Sequence, residues 1–261
     1  MNTSSDSLVL ERNGPVLVVT INRPKKRNAL DEDTVIGLAD LLAGLSDDVR
    51  CVVLAATGEH FSAGIDLTEL VLRNAYDGMQ HSRLWHKCLD AVQFGPVPVV
   101  AALHGAVIGG GLELAAAAHI RVADKTAFYA LPEGARGMYV GGGGSARVPR
   151  LIGVARMADM MLTGRVLSAE EGQQIGLSQY LVADGASLDK AMELAQRIAG
   201  NTTLTNFALT QVLPRIADSS QDIGLLTESL IAALAQSDPE AKRRLGEFLD
   251  GRAARVARGE A

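Results

Sequence analysis

Four short runs punctuate the first two-thirds of this chain: GPVLVVTI at 14–21, RCVVLAA at 50–56, VPVVAAL at 97–103 and HIRVA at 119–123. Each is rich in β-branched residues and bounded by Gly, Pro or charge, so each reads as a strand. Between the first two, DEDTVIGLADLLAGL at 31–45 carries apolar residues at helical spacing, with Asp31 placed to cap its start. Strands alternating with helices indicate an α/β protein with a largely parallel sheet. From about Asp189 onward the pattern becomes almost entirely helical, with candidate helices at 187–200, 202–216, 220–236 and 238–250. Pro214 falls late in the second of these and Pro239 opens the fourth. The expected organisation is an α/β core over 1–184 and a helical C-terminal region over 185–261, with no low-complexity linker and no repeat.

Composition removes several classes of function. With 261 residues the chain can bury a large core, and its net charge of −5 argues against nucleic acid as a partner. The clusters Lys25-Lys26-Arg27 and Lys242-Arg243-Arg244 are local and do not make the chain basic. Two cysteines, Cys51 and Cys88, are too few for a disulfide framework and fit a reduced interior. The N-terminus lacks the basic-then-apolar order of a signal peptide. The apolar run from Val97 to Ile120 contains Pro98, His104, four glycines and Glu113, which speaks against a membrane span. A soluble, cytoplasmic protein is the expectation.

The chemistry concentrates between His104 and Glu133, in HGAVIGGGLELAAAAHIRVADKTAFYALPE. Three consecutive glycines, Gly109 to Gly111, precede an apolar helical pattern that holds Glu113. Glycines at such a helix start let a ligand approach backbone N–H groups that have no intrahelical partner. A carboxylate one turn into the helix meets little water, so its protonation state becomes adjustable. Together with Glu133 this suggests an anion-stabilising pocket with acid/base groups in its wall.

Competing readings lack their defining residues. Gly141 to Gly144 resemble a phosphate cradle, but the Lys-Ser/Thr that completes a P-loop is missing. GAVIGGG does not have G-x-G-x-x-G spacing, and no G-x-S-x-G occurs. No group of His, Cys, Asp and Glu has zinc-ligand spacing, so no metal is expected.

Five separated motifs in order resemble the crotonase (enoyl-CoA hydratase/isomerase) superfamily: RPKKRNALD at 23–31, FSAGIDL at 61–67, HGAVIGGGLELA at 104–115, LPEGARGMYVGGGGSARVPRLIG at 131–153 and LTGRVLSAEEGQQIGL at 162–177. The resemblance implies a crotonase-like spiral of ββα units with a C-terminal helical trimerisation region, assembled as a homotrimer or homohexamer. It implies an acyl-CoA thioester substrate and no separate cofactor, because coenzyme A arrives as part of the substrate. The thioester carbonyl would accept two backbone N–H bonds, from Ile65 and Gly110. Glu113 and Glu133 would hold the water added across a conjugated C2=C3 bond, one activating it for attack at C3 and the other, Glu133, supplying the proton to C2. Lys25, Lys26, Arg27 and Ala29 of the first motif, and Ala63, Asp66 and Leu67 of the second, fall where the family meets coenzyme A. A solvated basic loop is the competing reading for the cations, and a helix cap for Asp66. The segment Met79–Phe94, with His81, Trp85 and His86, is a candidate wall for the acyl pocket or ordinary core.

Three positions depart from the family pattern. His119 replaces an Asp that usually closes the glycine-initiated helix, and an altered local cap is expected there. Gly134-Ala135-Arg136 replaces an apolar-basic run. Met138-Tyr139-Val140 stands where a proline commonly precedes the glycines, and Tyr139 is expected to pack. The pair of glutamates favours hydration; isomerisation, hydrolysis or carbon–carbon cleavage of an acyl-CoA, and a non-catalytic RNA-binding relative, are the alternatives.

Overall fold

The structure is a computed structural model and describes residues 7–69 and 71–252. The chain divides into two compact units, Met1–Ala199 and Gly200–Ala261. The first unit carries strands β1 (Leu8–Asn13), β2 (Val16–Ile21), β3 (Cys51–Ala56), β4 (Val99–Leu103), β5 (Ala106–Ile108), β6 (Ile120–Asp124), β7 (Phe128–Ala130), β8 (Leu167–Ser168) and β9 (Tyr180–Val182). Its helices are α1 (Glu32–Ala43), α2 (Ala75–Gln93), α3 (Gly110–Ala117), α4 (Gly144–Ile152), α5 (Val154–Thr163), α6 (Ala169–Ile175) and α7 (Ser187–Ala199). One sheet has the order β1-β2-β3-β4-β6-β9 and a smaller one the order β5-β7-β8. In the larger sheet β1 pairs antiparallel with β2, and every later pairing is parallel.

The four expected strands correspond to β2, β3, β4 and β6. Each is largely buried on both faces, so in β2, β3 and β4 apolar residues run on without polar alternation, while β6 also buries Arg121 and Asp124. The alternation of the backbone still sorts them. Val16, Val18, Cys51, Val53, Val100, Ala102 and Val122 cluster with Ala191, Leu194, Ala195 and Ala199 of α7. Val19, Ile21, Val52, Leu54, Val99, Ala101 and Leu103 form the other face, with Leu38 and Leu42 of α1, Leu89 and Val92 of α2 and Leu112 of α3. Because α7 completes the first of these layers, the compact unit ends at Ala199, later than the change of pattern at 184/185. Asp31 caps α1 as expected, its carboxylate accepting from Thr34 N–H at 3.0 Å. Cys51 and Cys88 are buried and free, and burial pushes the Cys51 thiol up to about 12.

The second unit holds α8 (Thr203–Phe207), a π-helical turn over Ala208–Val212, α9 (Leu213–Ala217), α10 (Gln221–Ser237) and α11 (Pro239–Leu249). The expected helix over 202–216 is therefore interrupted. Pro214 stands in the first turn of α9, where its missing N–H breaks no helical bond. Pro239 opens α11 behind Asp238, whose side chain accepts from Ala241 N–H at 2.9 Å. On α10, Leu225, Leu226, Leu230 and Leu234 are all more than half exposed. Among the described residues, no helix is long and apolar enough to cross a membrane.

Candidate active site

Two extended loops bring Ile65 to Gly110. Ser62 runs parallel to β5, donating to Ala106 C=O at 2.9 Å and accepting from Ile108 N–H at 3.0 Å. On its other side this segment meets Leu30, which donates to Gly64 C=O at 2.8 Å and accepts from Asp66 N–H at 2.7 Å. Extended backbone alternates its polar groups, so Ile65 N–H points away from Leu30. It lies beside the start of α3: a Cβ added to Gly110 would be 3.4 Å from Ile65 N. Neither the Ile65 nor the Gly110 N–H finds an acceptor among the described residues. Two free donors, one at the positive end of a helix, form a place where an oxyanion can sit.

Glu113 sits one turn into α3 and is 4 % exposed. Its Oε1 accepts two backbone N–H bonds, from Gly142 and Gly144, each at 2.8 Å. The glycine run that lacks a P-loop's Lys-Ser/Thr thus cradles a carboxylate of its own chain. Close approach requires the glycines: a Cβ on Gly144 would lie 2.9 Å from Glu113 Cγ and Oε1. Burial pushes the Glu113 carboxyl above the ordinary range and the Glu133 charge adds to this, while the two N–H donors and Arg147 oppose it.

Glu133 follows β7 and is half-buried. Its carboxylate lies against Gly109, where a Cβ would be 2.6 Å from Oε1, and Gly109 has a φ of +52° that favours glycine. Glu133 Oε2 is buried without a hydrogen-bond partner among the described residues. Burial raises the Glu133 carboxyl, opposed only by its own backbone N–H and the Arg136 charge, whereas two separate backbone donors converge on Glu113 Oε1. The two carboxyls therefore differ in kind: one is bracketed as an acceptor, the other suits a proton.

The loop before α1 is built around Asn28, fully buried at a φ of +54°. Its Nδ2 donates to Thr57 C=O and to His60 C=O, each at 2.7 Å, and its Oδ1 accepts from Arg23 N–H at 2.8 Å. Asp66 ties this loop to the Ile65 segment, pairing with Arg23 at 2.7 Å and Lys26 at 2.8 Å. These partners, Lys26 foremost, hold its carboxyl well below the usual range. Asp66 also caps a short 3-10 turn through Thr68 N–H at 3.1 Å, in keeping with the cap reading. Lys26 is thereby engaged, whereas Lys25 and Arg27 carry exposed side chains. Ala29 and Ala63 are half-buried in the same loops, and Leu67 is 69 % exposed.

On α2, Trp85 is buried in the core with its Cζ3 3.5 Å from where a Cβ on Gly110 would lie. It is both core and neighbour of the free donor. His81 turns instead toward Glu32 Oε1 at 3.3 Å, and His86 Nε2 lies 3.3 Å from Ser82 Oγ. The His119 ring bonds other elements than α3: its Nδ1 accepts from Val99 N–H at 3.0 Å and its Nε2 meets the C=O of Gln93, the last residue of α2, at 3.0 Å. Burial lowers its pKa to about 4, so it serves there as a neutral ring. Tyr139 does not pack as expected; it is 71 % exposed, beside a run of glycines that offers it no surface. Among the described residues, no group of three His, Cys, Asp or Glu side chains could hold a metal ion.

Comparison with known proteins bears on this arrangement. The family model of enoyl-CoA hydratase/isomerase matches residues 11–253. The chain is 31% identical over 250 residues to the short-chain-enoyl-CoA hydratase of Clostridium acetobutylicum, covering 95% of this chain and 96% of that protein. It is 36% identical over 211 residues to the carnitinyl-CoA dehydratase of Salmonella enteritidis, covering 80% of each. Among solved structures, a Rhodopseudomonas palustris protein whose name gives enoyl-CoA hydratase provisionally aligns with a TM-score of 0.92 at 58% identity, covering 96% of this chain and 97% of that one. The architecture is the crotonase fold. The chain belongs to the enoyl-CoA hydratase/isomerase family.

Proposed function

We propose that the protein is an enoyl-CoA hydratase that adds water reversibly and syn across the C2=C3 bond of a 2-enoyl-CoA. Ile65 and Gly110 N–H receive the thioester oxygen, on which negative charge grows as C3 is attacked. Glu113 takes a proton from water as the water oxygen bonds to C3. The C2=C3 π pair then takes a proton at C2 from Glu133, so one water is consumed and no other reactant is needed. Back-transfer of the proton between the carboxyls, through the product exchange or solvent, resets the pair. The observation that carries this reading is the asymmetry of the glutamates: two N–H donors at 2.8 Å converge on Glu113 Oε1 and favour its charged form against burial, while Glu133 Oε2 is buried and has no partner among the described residues.

Lys25 and Arg27 are the cations available to the phosphates of coenzyme A, and Ala29, Ala63, Asp66 and Leu67 shape the loops that would receive it. Lys26 acts by pairing with Asp66. The exposed leucines of α10 are read as the face that joins chains into a trimer or hexamer, which a solution mass measurement tests. A cytoplasmic location accompanies this reading. Relatives named for short-chain and carnitinyl substrates leave the acyl group open, and kcat/KM across a panel of enoyl-CoA thioesters would assign it.

Loss of the conjugated enoyl-thioester absorbance measures the reaction directly. Glu113→Gln and Glu133→Gln should each lower kcat on the order of 10²–10⁴-fold. Full rate in both variants would sink the assignment.

A further inference from the structure

Helix α2 reaches the Gly141–Gly144 run at two separate points. Ser82 Oγ donates to Gly141 C=O at 2.6 Å, with His86 beside it. Farther along, Asp90 and Gln93 grip Arg147 of α4: Nη2 donates to Asp90 Oδ1 at 2.5 Å and Nε to Gln93 Oε1 at 2.6 Å. The third nitrogen, Nη1, donates to Gly142 C=O at 2.9 Å. Gly142 is therefore held from both sides, its C=O by Arg147 and its N–H by Glu113. Arg147 is 8 % exposed, while its carboxylate partner Asp90 is 53 % exposed. Water screens the Asp90 charge more than that of Arg147, so a net positive field remains on the buried side.

The geometry points to Arg147 as a positioning residue for the reaction: it holds the Gly142–Gly144 turn against Glu113 and keeps Glu113 charged as the base. The inference rests on Glu113 being that base. Lysine could supply the charge but not three directed bonds from one planar group. Of the charged and titratable groups on elements around Glu113, Arg147 lies on α4, Glu133 after β7, and His86 and Asp90 on α2. Helix α2 further carries Tyr76, Asp77, Arg83 and Lys87, whose side chains are exposed, and the buried thiol Cys88, while β5 has none and α3 has no other. His81, also on α2, is directed to Glu32, and Arg150 of α4 is exposed.

The test is the pH profile of kcat/KM for Arg147→Gln, Arg147→Lys and Asp90→Asn, each checked for fold by circular dichroism. A base that must be deprotonated gives a limb on the acid side. Removing the Arg147 charge raises the proton affinity of Glu113, so Arg147→Gln should move that limb to higher pH by about one unit. Its kcat should fall on the order of 10²-fold as the bracket loosens. Arg147→Lys should restore the limb while leaving kcat reduced. Asp90→Asn, at a half-exposed site, should move the limb in the opposite direction, to lower pH. A folded Arg147→Gln with an unmoved limb overturns the inference. If that variant does not fold, an unmoved limb in Asp90→Asn overturns it instead. Glu113→Gln separates the two failures: an active Glu113→Gln removes the base itself, whereas an inactive one with unmoved limbs removes only the role of Arg147.

Discussion

The glycine run at 109–111 and the run at 141–144 both serve Glu113, the first by opening the helix that carries it and the second by closing on its carboxylate. Their backbones are used in opposite ways. In the first run the Gly110 N–H has no acceptor among the described residues, and Ile65 N lies beside it, 3.4 Å from where a Gly110 Cβ would be. In the second, the Gly142 and Gly144 N–H groups are both committed to Glu113 Oε1 at 2.8 Å. A run of glycines records that something must come close to the backbone. Whether that something is a ligand or another part of the chain depends on whether the freed N–H groups are already satisfied. An unspent donor at a helix start is an invitation to an anion; a spent one is part of the scaffold.

Filling the open run should have the largest effect. A valine at position 110 would set its Cβ 3.4 Å from Ile65 N and 3.5 Å from the Trp85 ring, with two methyl groups beyond it. Gly110→Val should cost on the order of 10²–10³ in kcat/KM, the range seen when an oxyanion donor is lost. A rate within a few-fold of the parent would mean that the first run is not the open end. The closed run should respond less and differently. Gly144→Ala puts a Cβ 2.9 Å from both Glu113 Cγ and Oε1, so the carboxylate must shift off its two donors. The expected loss is on the order of tenfold to 10²-fold in kcat. Because hydrogen bonds to the charged form are weakened, the acid limb of the rate should also rise in pH. An unaltered rate and limb in Gly144→Ala would remove the bracket from the mechanism.

Much of the first unit is legible in its sequence because burial on both faces of β2, β3 and β4 writes long apolar runs. β1 is not, since only Leu8 of its six residues is buried. The smaller sheet is also hidden: β5, β7 and β8 have two or three residues each, too few to show a period. The glycine run, Glu113 and Glu133 stand out in the sequence itself, and the family resemblance adds Ile65 and singles out Gly110, but only as separate points. What joins them is contact across the chain, and linear spacing carries no trace of it. Gly142 and Gly144 meet Glu113 from about thirty residues away. Arg147 gave no usable signal, because a single Arg in a helical pattern reads as surface until its three acceptors are seen. Asn28 could have been suspected, since Asn is the residue that most readily adopts positive φ after glycine, yet nothing local distinguishes it from a turn asparagine. In the second unit, the expected single helix at 202–216 passes through a π-helical turn at Ala208–Val212, directly before Pro214 in the first turn of α9.

The finest test lies within the closed run itself. Three of the four glycines stand at graded distances from Glu113, whereas a Cβ on the fourth, Gly143, would meet Arg147 instead. A Cβ on Gly144 would meet it at 2.9 Å and one on Gly142 at 3.1 Å, while one on Gly141 would meet only Ser82 Oγ, at 3.8 Å. The last is an ordinary contact, and the Gly141 C=O would keep its bond from Ser82. Gly141→Ala should therefore leave kcat/KM within about twofold of the parent, equivalent to about 0.5 kcal/mol or less. Its Tm should hold or rise slightly, as alanine narrows the unfolded ensemble by an amount worth about 0.4–1 kcal/mol. Gly142→Ala should fall between, because Glu113 needs to yield by only a few tenths of an ångström. The order 144, then 142, then 141 follows from distance to one carboxylate. If Gly141→Ala proved the most damaging of the three, the run would be touching something other than Glu113, and the distinction between an open and a closed glycine run would fail at its second half.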